Sequence, residues 1–470
     1  MFGLELGIFA LLILCLLAAC AFEFVNGFHD TANAVATVIY TNSLKPTHAV
    51  IWSGICNFIG VFIGVFYLGL GVAMGIVKLL PVEALVDANL YHSVSLIMAL
   101  LLSAIIWNLG TWYLGLPASS SHTLIGSILG VGFAYPFVEE GAGAAVDYTK
   151  ALEIMASLVV SPLFGFSFTV FLMFLMKKFM DNDALFKEPK KGKHPPFWIR
   201  SILVATCTGV SVSHGANDGQ KGVGLMMLIL IGIMPAYFAL NNTKAINLSI
   251  PHLNNIEHTL TGIDSTGLGV SDQRLLRKAK EEVSQLHLLA EGKRLTNDLA
   301  TTEKLEIRRL LIRLNKDAHS LLNSPDLALS KQNKKLIHRS LDGLKQHTDY
   351  SPLWVTFLIS ISLGLGTTVG WKRIVKTLGE KIGKEHLTYA QGASSELVAA
   401  STIAVSTWMS LPVSTTHVLS SGIAGSMVAS KGVKNLRKDT VRNILLAWIL
   451  TLPATIILSG SLFILFRSLF

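Results

Sequence analysis

Apolar runs of about 20 residues, the length that crosses a bilayer as a helix, recur along this chain. They cover residues 6–24, 50–72, 94–112, 154–176, 353–369, 397–411 and 444–465, with a further pair at 202–212 and 223–237. The strict apolar-polar alternation of a membrane barrel is absent. The pattern predicts an all-α polytopic membrane protein with about 10–12 transmembrane segments. Two apolar units, 4–41 and 198–240, are too long for one span and carry polar clusters, NGFHDTAN at Asn26 to Asn33 and HGANDGQK at His214 to Lys221. Each predicts a helix, a break at the polar cluster and a second helical part. Elsewhere apolar segments follow each other after only a few residues, at 93–114 with 116–136 and at 391–410 with 412–430. These predict helical hairpins.

The polar clusters recur in order. LPASSSH at Leu116 to His122 returns as LPVSTTH at Leu411 to His417. The earlier pair aligns Gly27 with Gly215 and Asp30 with Asp218. The chain therefore reads as two copies of one plan: a first transmembrane repeat at 1–180 and a second at 198–240 and 351–470, joined by a basic linker at 181–197. The second copy is lengthened by a polar segment, 241–350, where Leu305, Ile307, Leu310, Leu311 and Leu314 follow helical spacing. That segment predicts a small helical soluble insertion with solvated charged faces.

Composition sharpens the class. Charged residues make up 15% of the chain, against about 25% in soluble domains. The net charge of +9 sits in loops between apolar runs, so it marks cytoplasmic sides rather than nucleic-acid binding. No Lys or Arg precedes the first apolar run, which argues for a retained helix instead of a cleaved leader. Placing the basic loops 177–200, 372–388 and 431–442 in the cytoplasm makes the two repeats inverted, with the insertion outside. The four cysteines lie in apolar segments without metal-ligand spacing, so packing is their expected role.

Pro followed by hydroxyl residues is a helix start. Ser119, Ser120 and Ser121, and Ser414, Thr415 and Thr416, are thus expected at two helix N-termini, where free N–H groups and the dipole suit an anion. Such ends meeting from inverted halves could hold a tetrahedral oxyanion. A buried carboxylate must be neutralised, paired or bound to a cation, so Asp30 and Asp218 are expected to carry the coupling ion. His122 and His417 are expected proton carriers; His29 and His214 have weaker claims. Asn33 can supply a carbonyl ligand. Its counterpart is Lys221, preceded by Gln220, which could pair with Asp218 or touch the anion. Glu396 is expected to be interfacial and solvated.

No GxxxxGK[ST] motif is present, so direct drive by ATP is excluded. Ser121-His122 suggests an intramembrane hydrolase, but adjacent helical residues do not face each other, and duplication argues for transport by alternating access.

NGFHDTANAVATVIYT, LPASSSHTLIG, SHGANDGQKGVG and LPVSTTHVLSSGIAG together resemble the PiT family of inorganic phosphate transporters, in its bacterial low-affinity branch. The resemblance covers the whole chain. It implies a multi-pass inner-membrane protein, without enzymatic activity or resident cofactor, that imports phosphate by proton symport. It further implies that phosphate can travel with a divalent metal; whether the site holds a metal is left open. Sodium-coupled phosphate transport and sulfate transport are the alternatives, and a homodimer is an allowed assembly. Sodium-coupled members carry Asn at the position of Lys221.

Overall fold

In the computed structural model, residues 5–80, 90–139, 145–180, 182–189, 192–265, 267–293, 295–327 and 329–469 are described, without the side chains of Thr31, Asn33 and Leu248. Parts of the loops 78–92 and 137–150 and of the linker 181–197, including Lys190 and Lys191, lie outside the described residues. The chain forms two compact units, Met1–Ile229 with Ser351–Phe470, and Leu230–Tyr350.

The first unit is built of helices α1 (Leu6–Tyr40), α2 (Pro46–Ile63), α3 (Gly71–Val77), α4 (Leu90–Tyr113), α5 (Ser120–Ala134), α6 (Tyr148–Phe179) and most of α7 (Phe197–Ile233). After the second unit it resumes with α12 (Leu353–Thr367), α13 (Tyr389–Trp408), α14 (Thr415–Lys431) and α15 (Lys438–Leu469). Among the described residues, five helices are long and apolar enough to cross a membrane, and a sixth if α12 and the bent segment after it count as one. The long helices α7 and α13 carry too many polar residues to join that count, and α5 and α14 are short. Large apolar side chains on the outside of α6 and α15, such as Leu163, Phe171, Phe174, Ile449 and Ile457, are exposed. Such a belt is unfavourable in water and suited to lipid.

The breaks expected at the polar clusters do not occur. α1 runs unbroken through Asn26 and Gly27, and α7 through HGAND. The reason is lateral. A Cβ on Gly27 would lie 2.4 Å from the Leu363 carbonyl of α12, and one on Gly215 would lie 2.2 Å from the Asn57 carbonyl of α2. These glycines let two backbones touch, as small residues do in membrane helix pairs; they do not bend their own helix. The helices break elsewhere. α2 ends in a π-helical turn closed by Gly69 at φ 89° before α3, and α12 meets the next helical piece at 52°.

The pairing is crosswise between the copies. α1 packs on α12 and α7 on α2; α5 packs on α15 and α14 on α6. Gly130 faces Ile456 and Ser459 of α15, while Gly425 faces Phe166 of α6. Each half thus completes its core only with the other.

The second unit carries α8 (Ile250–Thr261), α9 (Val270–Ala290), α10 (Thr301–Leu322) and α11 (Lys331–Lys345) around its own core, including Ile256, Val283, Leu286, Ile307, Leu314 and Leu341. Charged side chains are buried in it too, Glu282, Lys304 and Arg308 among them. Arg308 is fully buried and donates from Nη1 to the carbonyls of Ala239 (2.9 Å) and Thr348 (3.2 Å).

Candidate functional site

The two hydroxyl motifs fold the same way. α4 ends with Gly115 at φ 67°, and the Leu116 N–H donates to the Thr111 carbonyl at 2.9 Å. In the second copy Ser410 takes φ 62°, and the Leu411 N–H donates to the Ser406 carbonyl at 2.8 Å. This left-handed closure with a long back-bond is a helix C-cap; serine there costs more than glycine. Three residues on, Ser119 and Ser414 cap α5 and α14, accepting from the N–H groups of His122 (3.2 Å) and His417 (3.1 Å). Local sequence alone, Pro then hydroxyl, suffices for this step.

The two N-termini meet. Ser121 Oγ donates to the Val413 carbonyl of the other copy at 2.9 Å. The rings of His122 and His417 lie 4.5 Å apart, and His417 stacks on Trp448 at 4.0 Å. Trp448 in turn donates to the Pro117 carbonyl at 3.0 Å. Two positive helix ends brought together repel unless negative charge stands beside them. Asp30 and Asp218 supply it. Thr416 donates to Asp30 Oδ1 at 2.5 Å and Thr415 to Asp30 Oδ2 at 3.4 Å.

Asp218 is held by Lys221, whose ammonium lies 2.5 Å from its Oδ1. Lys221 also donates to Ser121 Oγ (2.5 Å) and to the Val413 carbonyl (2.8 Å). Its three donors are therefore all in use. His214 joins the two aspartates. Its Nε2 lies 3.7 Å from Asp30 Oδ2 and 3.4 Å from Asp218 Oδ2, and its Nδ1 lies 2.8 Å from Asn57 Oδ1. Both ring nitrogens face acceptors, an arrangement that suits an imidazolium. His29 lies 3.3 Å from Asp30 Oδ1 and 3.2 Å from Thr111 Oγ1. All these side chains are buried.

Ser121, Lys221, Asp218, Thr415, Thr416, Asp30, His122 and His417 are thus brought into one cluster. Ser120, buried in the first turn of α5, has a hydroxyl with no hydrogen-bond partner among the described residues. Gln220 is not in the cluster. Its Oε1 accepts from the N–H groups of Val72 (3.2 Å) and Ala73 (3.3 Å), and its Nε2 donates to the Gly64 carbonyl (3.1 Å). It spans the break between α2 and α3. The side chain of Asn33 lies outside the described residues.

That His29 and His214 both face Asp30 is shown only by the packing of the helices. Asn217, which the sequence pattern did not single out, accepts from the Val413 N–H (3.3 Å) and donates to Thr407 (2.9 Å) and the Leu411 carbonyl (3.2 Å), fixing the second motif. Glu396 is corrected: it is fully buried, not solvated, and accepts from Thr37 and from Thr206 (2.5 Å). Its apolar flanks, Leu397 and Val398, were the available signal.

Ligand atoms of Asp30, His214 and Asp218 all lie within 4.8 Å of one another, so these three residues could hold a cation. The ammonium of Lys221 already supplies one positive charge at Asp218.

A crosswise-paired helical bundle with lipid-facing belts and a charged, buried centre defines a polytopic membrane transport protein. The Phosphate transporter family profile matches residues 26–459. The chain belongs to that family. It is 40% identical to the low-affinity inorganic phosphate transporter of Buchnera aphidicola subsp. Acyrthosiphon pisum, covering 96% of each chain. It is 38% identical to the low-affinity inorganic phosphate transporter PitA of Escherichia coli (strain K12), covering 98% of this chain and 97% of the other. A solved sodium-dependent phosphate transporter shares the fold with a TM-score of 0.55 at 18% identity, over 98% of this chain and all of that one. The relatives are transporters rather than enzymes.

Proposed function

We propose that this chain imports inorganic phosphate across the inner membrane with protons, by alternating access around the cluster described above. The observation that carries the reading is the meeting of the α5 and α14 N-termini between Asp30 and Asp218. Neutral donors, Ser120 among them, and two positive helix ends offer an oxyanion hydrogen bonds and favourable potential. The aspartates would oppose an anion were they unpaired, but Lys221, His214, Thr415 and Thr416 already engage them. Seryl and threonyl hydroxyls and Lys221 are the proposed phosphate contacts, and the aspartates with their histidines the proposed coupling centre.

Proton coupling is favoured over sodium by one feature. A sodium ion at Asp218 would have to displace an ammonium held by three acceptors. A divalent cation travelling with phosphate is a second reading, supported by the carboxylate-imidazole-carboxylate donor set.

Purified full-length protein in liposomes tests both. Labelled phosphate is expected to accumulate when the lumen is alkaline, without sodium, and an uncoupler is expected to abolish this. Strict sodium dependence with indifference to the pH gradient would overturn the reading. A requirement for Mg²⁺ or Ca²⁺, with matched cation uptake, would establish the metal complex as substrate.

A further inference from the structure

Glu23 lies on α1, about two turns before Asp30. It is fully buried. Its Oε2 accepts from Asn26 Nδ2 at 3.2 Å. Its Oε1 has no hydrogen-bond partner among the described residues, and neither has Asn26 Oδ1. Gly222 of α7 lies directly against the carboxyl: a Cβ there would be 2.6 Å from Glu23 Cδ and Oε1. Gly222 immediately follows Lys221.

The internal repeat gives this placement its meaning. The alignment of Gly27 with Gly215 and Asp30 with Asp218 sets Ser211 opposite Glu23 and Asn33 opposite Lys221. Ser211 has an ordinary packing role, sharing a 2.8 Å hydrogen bond with Ser53. One copy has thus gained a carboxyl and the other an ammonium. The packing of α7 on α1 then sets the Glu23 carboxyl against Gly222, the residue after Lys221.

Lys221 is fully committed in this conformation, to Ser121, Asp218 and Val413. Glu23 is left with one neutral amide donor. A charged carboxylate so placed costs several kcal/mol, and a proton on Oε1 removes that cost. If Lys221 releases the Val413 carbonyl and Ser121 as the copies move apart, Glu23 is the adjacent acid it can turn to. We propose that Glu23 is a further proton-carrying group of the transport cycle, in addition to the aspartate-histidine centre. Glu23 is protonated while Lys221 is held by Asp218, Ser121 and Val413, and deprotonated when Lys221 pairs with it. Only an O–H bond is made and broken; the proton comes from water on one side and leaves to water on the other. The ionisable groups that act on Glu23 are Asp218, Lys221 and His214, all on α7, with the Cys20 thiol a turn earlier on its own helix.

The inference rests on the proton-coupled reading, and the experiment separates the two. In liposomes, Glu23→Gln is expected to lose at least ~10-fold of phosphate accumulation driven by a pH gradient. Exchange of labelled for unlabelled phosphate across the same membranes is expected to continue and to lose its dependence on pH. Glu23→Asp is expected to recover part of the accumulation. Accumulation by Glu23→Gln comparable to wild type would overturn the inference alone. Loss of exchange together with accumulation, in both Gln and Asp variants, would also overturn it, by making Glu23 a packing residue. A wild type indifferent to the pH gradient would overturn the proton-coupled reading and this inference with it.

Discussion

Lys221 and Asp218 form a buried ion pair whose ammonium also binds the loop before the opposite helix end. Removing one partner of such a pair costs about 3–5 kcal/mol, because the other charge is left uncompensated. Lys221→Met is therefore expected to lower the thermal midpoint of the detergent-solubilised protein sharply. Adding Asp218→Asn should recover most of that loss without restoring uptake. Recovery of neither would mean that the charge itself is not what Lys221 balances. Thr416 offers a milder probe. Thr416→Val keeps the shape and leaves the Ser414 cap intact, but removes the 2.5 Å donor to Asp30. A hydrogen bond to a charged group contributes about 1.5–3 kcal/mol, so phosphate uptake should weaken ~10-fold or more, with the folded yield retained. Unchanged uptake would remove Thr416 from the site. At this scale the sequence named hydroxyls and acids that the fold brings together, since their duplication is visible in the letters. It could not say that Gln220 is consumed by backbone groups at Gly64, Val72 and Ala73, because a polar side chain carries no mark of which neighbour will occupy it.

At the scale of elements, the expected breaks fall in clusters that contain Gly27 and Gly215, and by intrinsic propensity glycine is a poor helix former. In the structure the two glycines are contact points inside continuous helices. Gly27→Ala would drive a Cβ into backbone atoms of α12, the nearest at 2.4 Å. Overpacking of this kind costs about 1–3 kcal/mol or more, so this variant should yield little folded protein in a fluorescence-detected size-exclusion assay. Gly110→Ala on α4 is the control, since nothing lies within 4 Å of its added Cβ. It should be neutral or stabilising by up to ~1 kcal/mol. Equal loss in both would argue that general helix damage, not the α1–α12 contact, is responsible. The hairpins, by contrast, were fully readable, because a C-cap, a proline and a hydroxyl cap act within a few residues of one another.

At the scale of the whole molecule, the two compact units answer to different solvents. The first exposes large apolar side chains; the second hides its apolar stripes around a core of its own. In the second unit, burial and the nearby Asp317 push the Glu282 carboxyl up to about 7. A raised carboxyl stabilises the folded form below the unfolded value, and this contribution is lost as pH rises from about 4.5 to 7. His347 runs the other way. Burial, aided by Lys244, holds it down at about 4, so its contribution is present above about 6.5 and lost as pH falls toward 4. Glu282→Gln should accordingly slow limited proteolysis within 241–350 of the full-length protein near about pH 8, by an amount of order 1 kcal/mol, and have little effect near about pH 4.5. Faster cleavage at the higher pH would contradict the burial of an uncompensated carboxyl there.

The sequence by itself determined the membrane class, the duplication, the hairpins with their capped helix starts, and the polar insertion. Each of these is written in local periodicity or in short-range hydrogen bonding, which neighbouring residues control. Tertiary structure alone decided which copy pairs with which, that α1 and α7 stay unbroken, that His214 bridges two aspartates, and that Glu23 packs against Gly222 of α7. Those facts depend on backbone approach between residues far apart in the chain. Only the packed helices settle which buried polar group finds a partner and which is left without one.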